Sequence, residues 1–495
     1  MNKVIGGIDM KKPNIIYILA DDMGYGDISY LNEKCPFKTR YFDQLGEEGM
    51  SFTDAHATSA VCTPSRYGIL TGRYNWRSRL KTGVIGGYTP HLIEDGRQTV
   101  ANLLSDSGYY TACIGKWHLG MDWPCHGEFK SVPDFGVVEN VDYTGIIKNG
   151  PVDFGFDYYY GISASLDMPP YVYIENNKVV ELPTKVTSDS GKRFWREGPT
   201  APNFKHEQVL PHLTDKVVQT IEEHKEEPFF IYFPLPAPHT PILPTKEWIG
   251  KSGTNEYGDF VMMCDAMVGK VMEKVKACGL EENTIIIYTS DNGCSPSADY
   301  KELAEKGHNP SYIFRGHKAD IYEGGHRIPL LIKWPEVIKA GSQCNETVCL
   351  ADFMATMADL LGVILPDNMG EDSVSELGLW KGQDQYTREA LVHQSIDGSL
   401  SIRKGKYKLE MCKGSGGWSY PVPNSEVERQ LPHVQLYDLE VDIKEQHNIY
   451  EQHPEVVKEL KELLTKYVKE GRSTPGIPQK NNGVEVWETI KWITE

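Results

Sequence analysis

Nowhere in its 495 residues does the chain run to about 18 consecutive apolar side chains, so no membrane-crossing helix is expected. Positive charge is scarce: 51 Lys and Arg stand against 69 Asp and Glu, a net charge of −18. A phosphate backbone repels such a surface, which argues against a nucleic-acid partner; an acidic chain that handles small anions needs a local basic pocket instead. The ten cysteines contain no CxxC pair and no zinc spacing. Cys344 and Cys349 could pair, but reduced thiols are the default expectation. There is no internal repeat and no low-complexity segment. Residues 1–12 lack the long apolar core of an export leader, and Met10 offers an alternative start. The chain is therefore expected in the cytoplasm as read, or exported with its leader removed.

The composition, 40% hydrophobic and 24% charged, is that of an ordinary globular enzyme. Short apolar runs at Asn14–Leu19, Tyr110–Ile114, Pro228–Phe233, Thr284–Tyr288 and Pro329–Ile332 read as buried parallel strands. Helical patterns such as Thr99–Ser107 and Thr214–His224 fall between them, which predicts an α/β fold with a mainly parallel sheet covered by helices. Polar clusters follow the runs: Asp21-Asp22, Lys116 with His118, His239, and Asp291-Asn292. Ligands bind beyond the carboxyl ends of such strands, so these clusters predict one shared site. After about Gly382 the pattern changes to short antiparallel strands at 391–393, 399–403, 407–411 and 436–438. Pro454 then opens an amphipathic helix, and residues 471–495 are expected to wrap the surface. The expected division is a catalytic domain over 1–382 and a smaller α+β subdomain over 383–495.

Residues 62–73, Cys-Thr-Pro-Ser-Arg-Tyr-Gly-Ile-Leu-Thr-Gly-Arg, put a thiol at a predicted helix start, where the field favours anions and a reactive sulfur. A lone cysteine there more often packs as a small hydrophobe. Asp21, Asp22, Asp291 and Asn292 offer hard oxygen ligands suited to Ca²⁺ or Mg²⁺ rather than zinc. Lys116 and His118 alternate along an extended segment, so their side chains are expected on one side. His239, stiffened by three nearby prolines, suits a general acid.

Taken together, these motifs resemble the type I, formylglycine-dependent sulfatases, arylsulfatase A-like, and more narrowly the bacterial carbohydrate sulfatases. The carriers are Cys62-Thr-Pro-Ser-Arg66 with Leu70-Thr-Gly-Arg73, Asp21-Asp-Met-Gly-Tyr-Gly-Asp27, Gly115-Lys-Trp-His-Leu-Gly120, His239 among prolines, Ser290-Asp-Asn-Gly293, and Lys318 before Tyr322-Glu-Gly-Gly325. The resemblance implies an alkaline-phosphatase-like fold and hydrolysis of sulfate esters. It implies that Cys62 is converted to formylglycine by a formylglycine-generating, sulfatase-maturating enzyme, and that the aldehyde hydrate attacks sulfur. It further implies Asp21, Asp22, Asp291, Asn292 and residue 62 around Ca²⁺, with Mg²⁺ an alternative. Lys116 and Lys318 would hold sulfate, His118 would move a proton on residue 62, and His239 would protonate the leaving oxygen. Arg66 and Arg73 would hold the modified residue, with Asp27 structural. His317 and Asp320 stand where the family commonly has Gly or small residues.

For the substrate the resemblance implies a sulfated saccharide, galactose or N-acetylgalactosamine favoured, cleaved in exo fashion. Arg77, His91, Asp167, His317 and His326 are candidate sugar contacts. Tyr158–Tyr160, Tyr171 and Trp418 are candidate stacking rings, each as readily explained by packing. Two rival readings stand beside this one: a phosphodiesterase or phosphonate hydrolase of the same superfamily, and a sulfatase-like binding protein whose residue 62 is never oxidised.

Overall fold

The computed structural model describes residues 12–383 and 386–494. The leader and alternative-start readings of residues 1–11 lie outside the described residues, and the expected domain boundary adjoins the undescribed pair 384–385. Among the described residues no helix is long and apolar enough to cross a membrane.

Six strands set the centre of the fold: β1 (Asn14–Asp21), β2 (Tyr110–Lys116), β3 (Tyr158–Ile162), β4 (Phe229–Pro238), β5 (Thr284–Ser290) and β6 (Leu330–Lys333). They run in the order β6-β5-β1-β4-β2-β3 within a ten-stranded sheet. Ser342–Cys344 and Met50–Phe52 extend it beyond β6, and Ile174–Glu175 and Lys178–Val179 beyond β3. All eight residues of β1 are buried, although successive side chains point to opposite faces. Both faces are therefore covered, which is why this strand reads as a continuous apolar run rather than an alternating one.

β5, β1, β4, β2 and β3 are parallel. β6, expected among the parallel strands, is antiparallel to β5. Its path explains the difference. The segment between Ser290 and Leu330 never crosses to the other edge of the sheet, and Thr289 pairs directly with Leu330, so the chain can only return in the opposite sense.

A second sheet of four antiparallel strands spans β7 (Leu391–Gln394), β8 (Leu400–Lys404), β9 (Tyr407–Glu410) and β10 (Gln435–Asp438). The helix Pro454–Glu470 packs its apolar stripe on β8 and β9. The core beneath them also takes in Tyr74 and Trp76 from the segment after Arg73, and Trp487 and Ile490 from the tail. The tail thus contributes core side chains rather than only covering the surface. All ten cysteines carry free thiols.

Candidate active site

Because β5, β1, β4 and β2 are adjacent and parallel, their carboxyl ends share one edge of the sheet. Ala20 pairs with Ser290, and Asp21 with Pro238. The next residues along each strand, Asp22, Asp291 and His239, therefore emerge side by side, with Lys116 closing β2. Two glycines let these ends approach. A Cβ on Gly115 would lie 2.0 Å from the Pro234 carbonyl oxygen, and one on Gly293 would lie 1.9 Å from that of Gly324.

Cys62 opens the helix α1 (Cys62–Thr71), all ten residues of which are buried. Gly72, at φ 62°, ends it in the left-handed conformation, with its N–H on the Gly68 carbonyl, so both ends of the motif have a local reason. Cys62 is 2% exposed. Burial pushes its thiol up, and Lys116 and Lys318 only partly oppose that. Burial therefore works against the reactive sulfur expected from the helix start.

Around Cys62 the charges interlock. Lys116 Nζ donates to Asp21 Oδ2 at 2.6 Å and Lys318 Nζ to Asp22 Oδ2 at 2.7 Å. Arg66 donates from Nε and Nη2 to Asp291 Oδ2 at 3.0 and 2.7 Å, and from Nη1 to the Lys116 carbonyl. Burial alone would raise Asp21, but Lys116, His239, Arg66 and Lys318 together hold it far below the usual carboxylate range. Asp291 goes the other way, pushed up by burial and by the neighbouring charges of Asp21 and Asp22 against Arg66 and Lys116.

Four oxygen donors meet here. Asp22 Oδ1 accepts from Asn292 Nδ2 at 2.7 Å, and Asp291 Oδ1 accepts from the Asp22 N–H at 3.2 Å. Asp21 Oδ1 and Asn292 Oδ1 are buried with no hydrogen-bond partner among the described residues. Asp21, Cys62 and Asp291 offer ligand atoms within 4.8 Å of one another, as do Asp21, Asp22 and His239. Two orphaned buried oxygens beside two carboxylates fit a hard dication, since each would otherwise forfeit its solvation without compensation.

His118 is placed differently from its sequence expectation. The chain turns left-handed there, with φ 58°, as it does at Asp22 with φ 68°. The alternation argument fails because the strand has already ended at Lys116. His118 Nε2 donates to the Ile85 carbonyl at 2.7 Å, which leaves Nδ1 as the lone pair, buried and without a partner. Burial, Lys116 and Arg66 hold this ring neutral, well below the ordinary histidine range. Two non-glycine residues held at positive φ beside one cluster of buried charges are the kind of strain that a functional site maintains.

His239 and Asp167, 9% and 8% exposed, stand at the mouth. His239 Nδ1 donates to the Thr240 carbonyl at 2.5 Å, and Nε2 lies 3.6 Å from Asp22 Oδ2. Asp167 Oδ1 is 4.0 Å from His239 Nδ1, and Asp167 Oδ2 accepts from Arg196 Nη1 at 2.6 Å. Arg196 escaped the sequence reading, because nothing in the 28 residues between them marks the pair. His317 Nδ1 faces the Lys318 carbonyl at 3.0 Å, beside the loop bearing the second lysine. Asp320, the departure from the family pattern, accepts the backbone N–H groups of His317, Trp418 and Ser419. It thereby fastens the Lys318 loop to the C-terminal region and brings the half-exposed Trp418 near it.

Other candidates are corrected. Arg77 is wholly buried: it donates to both oxygens of Asp372 at 2.8 Å and to the Tyr467 carbonyl, and lies over Trp76, leaving no face for a sugar. Arg73 serves Glu94, Glu371 and the Lys480 carbonyl rather than residue 62. His91 pairs with Asp122 and Asp95, and His326 sits in a buried histidine cluster. Tyr158, Tyr159, Tyr160 and Tyr171 direct their hydroxyls to Glu175, the Ile162 carbonyl, His212 and the Arg196 carbonyl. Asp27 accepts from the Gly24 N–H and Tyr257, with His308 at 2.7 Å, and so supports the loop after β1.

Comparison with known proteins agrees with this geometry. The Sulfatase family model matches residues 13–363. An N-acetylgalactosamine-6-O-sulfatase from Bacteroides thetaiotaomicron is 35% identical over 496 residues, covering 92% of this chain and 93% of the relative. Human steryl-sulfatase is 31% identical, covering 77% of this chain and 72% of its own. A solved structure from work on glycosaminoglycan metabolism by Bacteroides thetaiotaomicron superposes with a TM-score of 0.80 at 34% identity, covering 92% of this chain and 99% of that one. The phosphonate monoester hydrolase of Agrobacterium radiobacter, TM-score 0.60 at 18% identity, covering 92% of this chain and 95% of its own, shares the fold alone. With its alkaline-phosphatase-like sheet and its strand-end acids, lysines and histidines, the chain belongs to the sulfatase family and is a sulfuric ester hydrolase.

Proposed function

We propose that the enzyme removes one sulfate group from a terminal sugar, N-acetylgalactosamine 6-sulfate first and galactose 6-sulfate second, using a formylglycine made from Cys62. The observation that carries this reading is the convergence of Lys116 and Lys318 on the acids around a buried residue 62. Two lysines beside the same acids make a cradle for a tetrahedral anionic oxygen group. The 35% identical N-acetylgalactosamine-6-O-sulfatase, whose match spans nearly all of both chains, supports the sugar.

Cys62 is the residue whose conversion this reading requires, and it stands at the start of its helix. Its burial also means that the maturating enzyme must meet the chain before this helix packs. The hydrated aldehyde would supply an oxygen nucleophile instead. Asp21, Asp22, Asp291 and Asn292 would hold calcium, or magnesium by the same oxygen chemistry, which when bound lowers the charge on the sulfate oxygens and the pKa of a neighbouring hydroxyl.

The chain's own side chains perform the rest. Lys116 and Lys318 bind and orient the sulfuryl oxygens and stabilise the charge that develops there. His118, its tautomer fixed by the Ile85 carbonyl, offers Nδ1 to take a proton from residue 62. His239, with Nδ1–H tied to Thr240, presents Nε2–H to the departing sugar oxygen. Asp167, aimed by Arg196, accepts from a sugar hydroxyl, and His317 stands at the rim. Arg66 locks Asp291 to the end of β2.

Sulfate release from a panel of 6-sulfated and 4-sulfated N-acetylgalactosamine, 6-sulfated galactose and glucosamine, and matched phosphate and phosphonate esters tests this reading. The 6-sulfated galacto sugars should lead by at least about tenfold, the scale of one lost hydroxyl contact. Faster turnover of phosphate or phosphonate esters would overturn it.

A further inference from the structure

Away from the catalytic edge, three histidines from distant parts of the sequence meet in the interior. His56 follows Asp54 on the two-residue strand Ala55–His56, His326 ends the short helix Glu323–His326, and His393 lies on β7. All three are 0% exposed. Ring centroids are 5.2 Å apart for His56 and His326, 4.8 Å for His56 and His393, and 3.7 Å for the stacked pair His326 and His393. One nitrogen of each lies within 4.8 Å of the other two.

The second nitrogen of each ring faces an acceptor. His56 Nε2 lies 2.7 Å from Asp54 Oδ1, His326 Nε2 lies 3.0 Å from the Ile321 carbonyl, and His393 Nδ1 lies 3.1 Å from Ser401 Oγ. With protons on those outer nitrogens, the inner ones are lone pairs. The inner pair, His56 Nδ1 and His326 Nδ1, is 3.0 Å apart. Two lone pairs at that distance repel unless a cation lies between them. The third inner nitrogen, His393 Nε2, is buried without any hydrogen-bond partner among the described residues. A carboxylate, a carbonyl and a hydroxyl behind three converging imidazoles is the outer support that metal-binding histidines need.

We propose that His56, His326 and His393 form a second metal site, selective for a transition-metal dication such as zinc and distinct from the oxygen-lined catalytic site. Imidazole nitrogens suit zinc, and metal–nitrogen bonds of about 2.0–2.1 Å require His393 to close in by roughly an ångström. The surroundings tolerate the charge. Lys408, Arg327 and Arg403 are paired with Asp54, Glu323, Glu410 and Glu445, acidic side chains that share protons among themselves and so can take up or release charge beside the cluster. In the competing arrangements Lys408 Nζ, 3.2 Å away, donates to His326 Nε2, or Arg403 and Arg327 Nη1, 3.3 and 3.5 Å away, donate to His56 Nε2, so that one proton joins the inner pair. That satisfies one pair and still leaves His393 Nε2 orphaned. Because His393 belongs to the second sheet and the other two to the segments before it, a bound ion would pin the two regions together.

The test strips the purified full-length enzyme of transition metals, fills the catalytic site with excess Ca²⁺, and titrates with Co²⁺ and separately Zn²⁺. The expected result is one Co²⁺ per chain with the visible absorption of a tetrahedral nitrogen site, loss of that absorption in His393→Gln, and a rise of about 2 °C or more in the wild-type Tm with Zn²⁺. X-ray absorption at the zinc edge of the wild type should show imidazole scattering, which decides the matter even if the variant fails to fold. No retained metal, an unchanged spectrum in His393→Gln, or an oxygen-only shell would each overturn the proposal.

Discussion

Two buried polar clusters in this enzyme are built to different rules. At the carboxyl ends of β1, β2, β4 and β5 the donors are carboxylates and an amide, and lysines stand close enough to pair with them. Under β7 the donors are imidazoles, backed by acceptors on their far sides. The first cluster opens to solvent at His239 and Asp167; the histidines of the second are sealed. Hard oxygens suit an ion that must share its coordination with an anionic substrate, whereas a nitrogen cage away from the substrate suits an ion that serves the structure. Both kinds of chemistry occur in one molecule because their residues are drawn from different elements: strand ends in the first case, and contacts between the two sheets in the second.

The sharpest way to break this comparison is at residue 62. Cys62→Ala should lower sulfate release by about 10⁴-fold or more, the scale of losing a nucleophile, while the melting curve and calcium content stay near wild type. Substantial turnover in the variant would separate residue 62 from the chemistry. Next in size is Arg77, which tests whether a buried arginine next to the helix motif belongs to the site or to the core. Arg77→Met strands the Asp372 carboxylate and should cost about 3–5 kcal/mol in denaturant unfolding, with KM unchanged in the folded fraction. Arg77→Met with Asp372→Asn should recover much of that loss. A raised KM at constant stability would return Arg77 to the substrate contacts.

Lys116→Ala should reduce kcat by about 10²–10³-fold in the folded fraction, as removal of one charge-stabilising donor does. The smallest effect concerns a histidine outside both clusters. His206 stacks 3.9 Å from Trp195, and burial pushes its pKa down to about 3. The folded protein holds this ring neutral, whereas the unfolded chain protonates it below about pH 6.5. Its contribution is therefore complete above that pH and is lost progressively as pH falls toward 3. Between pH 7.5 and pH 5 it should remove about 1–2 kcal/mol, and His206→Phe should flatten that part of the unfolding profile. An identical pH slope in the variant would assign the loss to other groups.

Much of the catalytic edge was legible in the sequence because parallel strands bring their ends together, and each end carries its polar residues within two positions of the strand. Asp21, Asp291, Lys116 and His239 follow that rule. The rest depends on contacts that no local pattern encodes. His118 lies beyond the strand, where a left-handed turn cancels the alternation that would have aimed it beside Lys116. Arg77 and Asp372 are 295 residues apart, and the adjoining helix motif made the arginine resemble a pocket residue. β6 reads as one more buried strand, and its direction is set by which edge the Lys318 loop occupies. The three inner histidines lie in three unrelated segments that no local pattern joins, and the motif around His326 made that one resemble a sugar contact.

The central claim is that the encoded cysteine is a precursor, and the mass of the proteolytic peptide containing residue 62, taken from an enzyme preparation of measured sulfatase turnover, tests it most directly. Conversion to formylglycine predicts a peptide about 18 Da lighter than its sequence, in proportion to the turnover. Full turnover from a preparation whose peptide carries only unmodified cysteine would contradict the account.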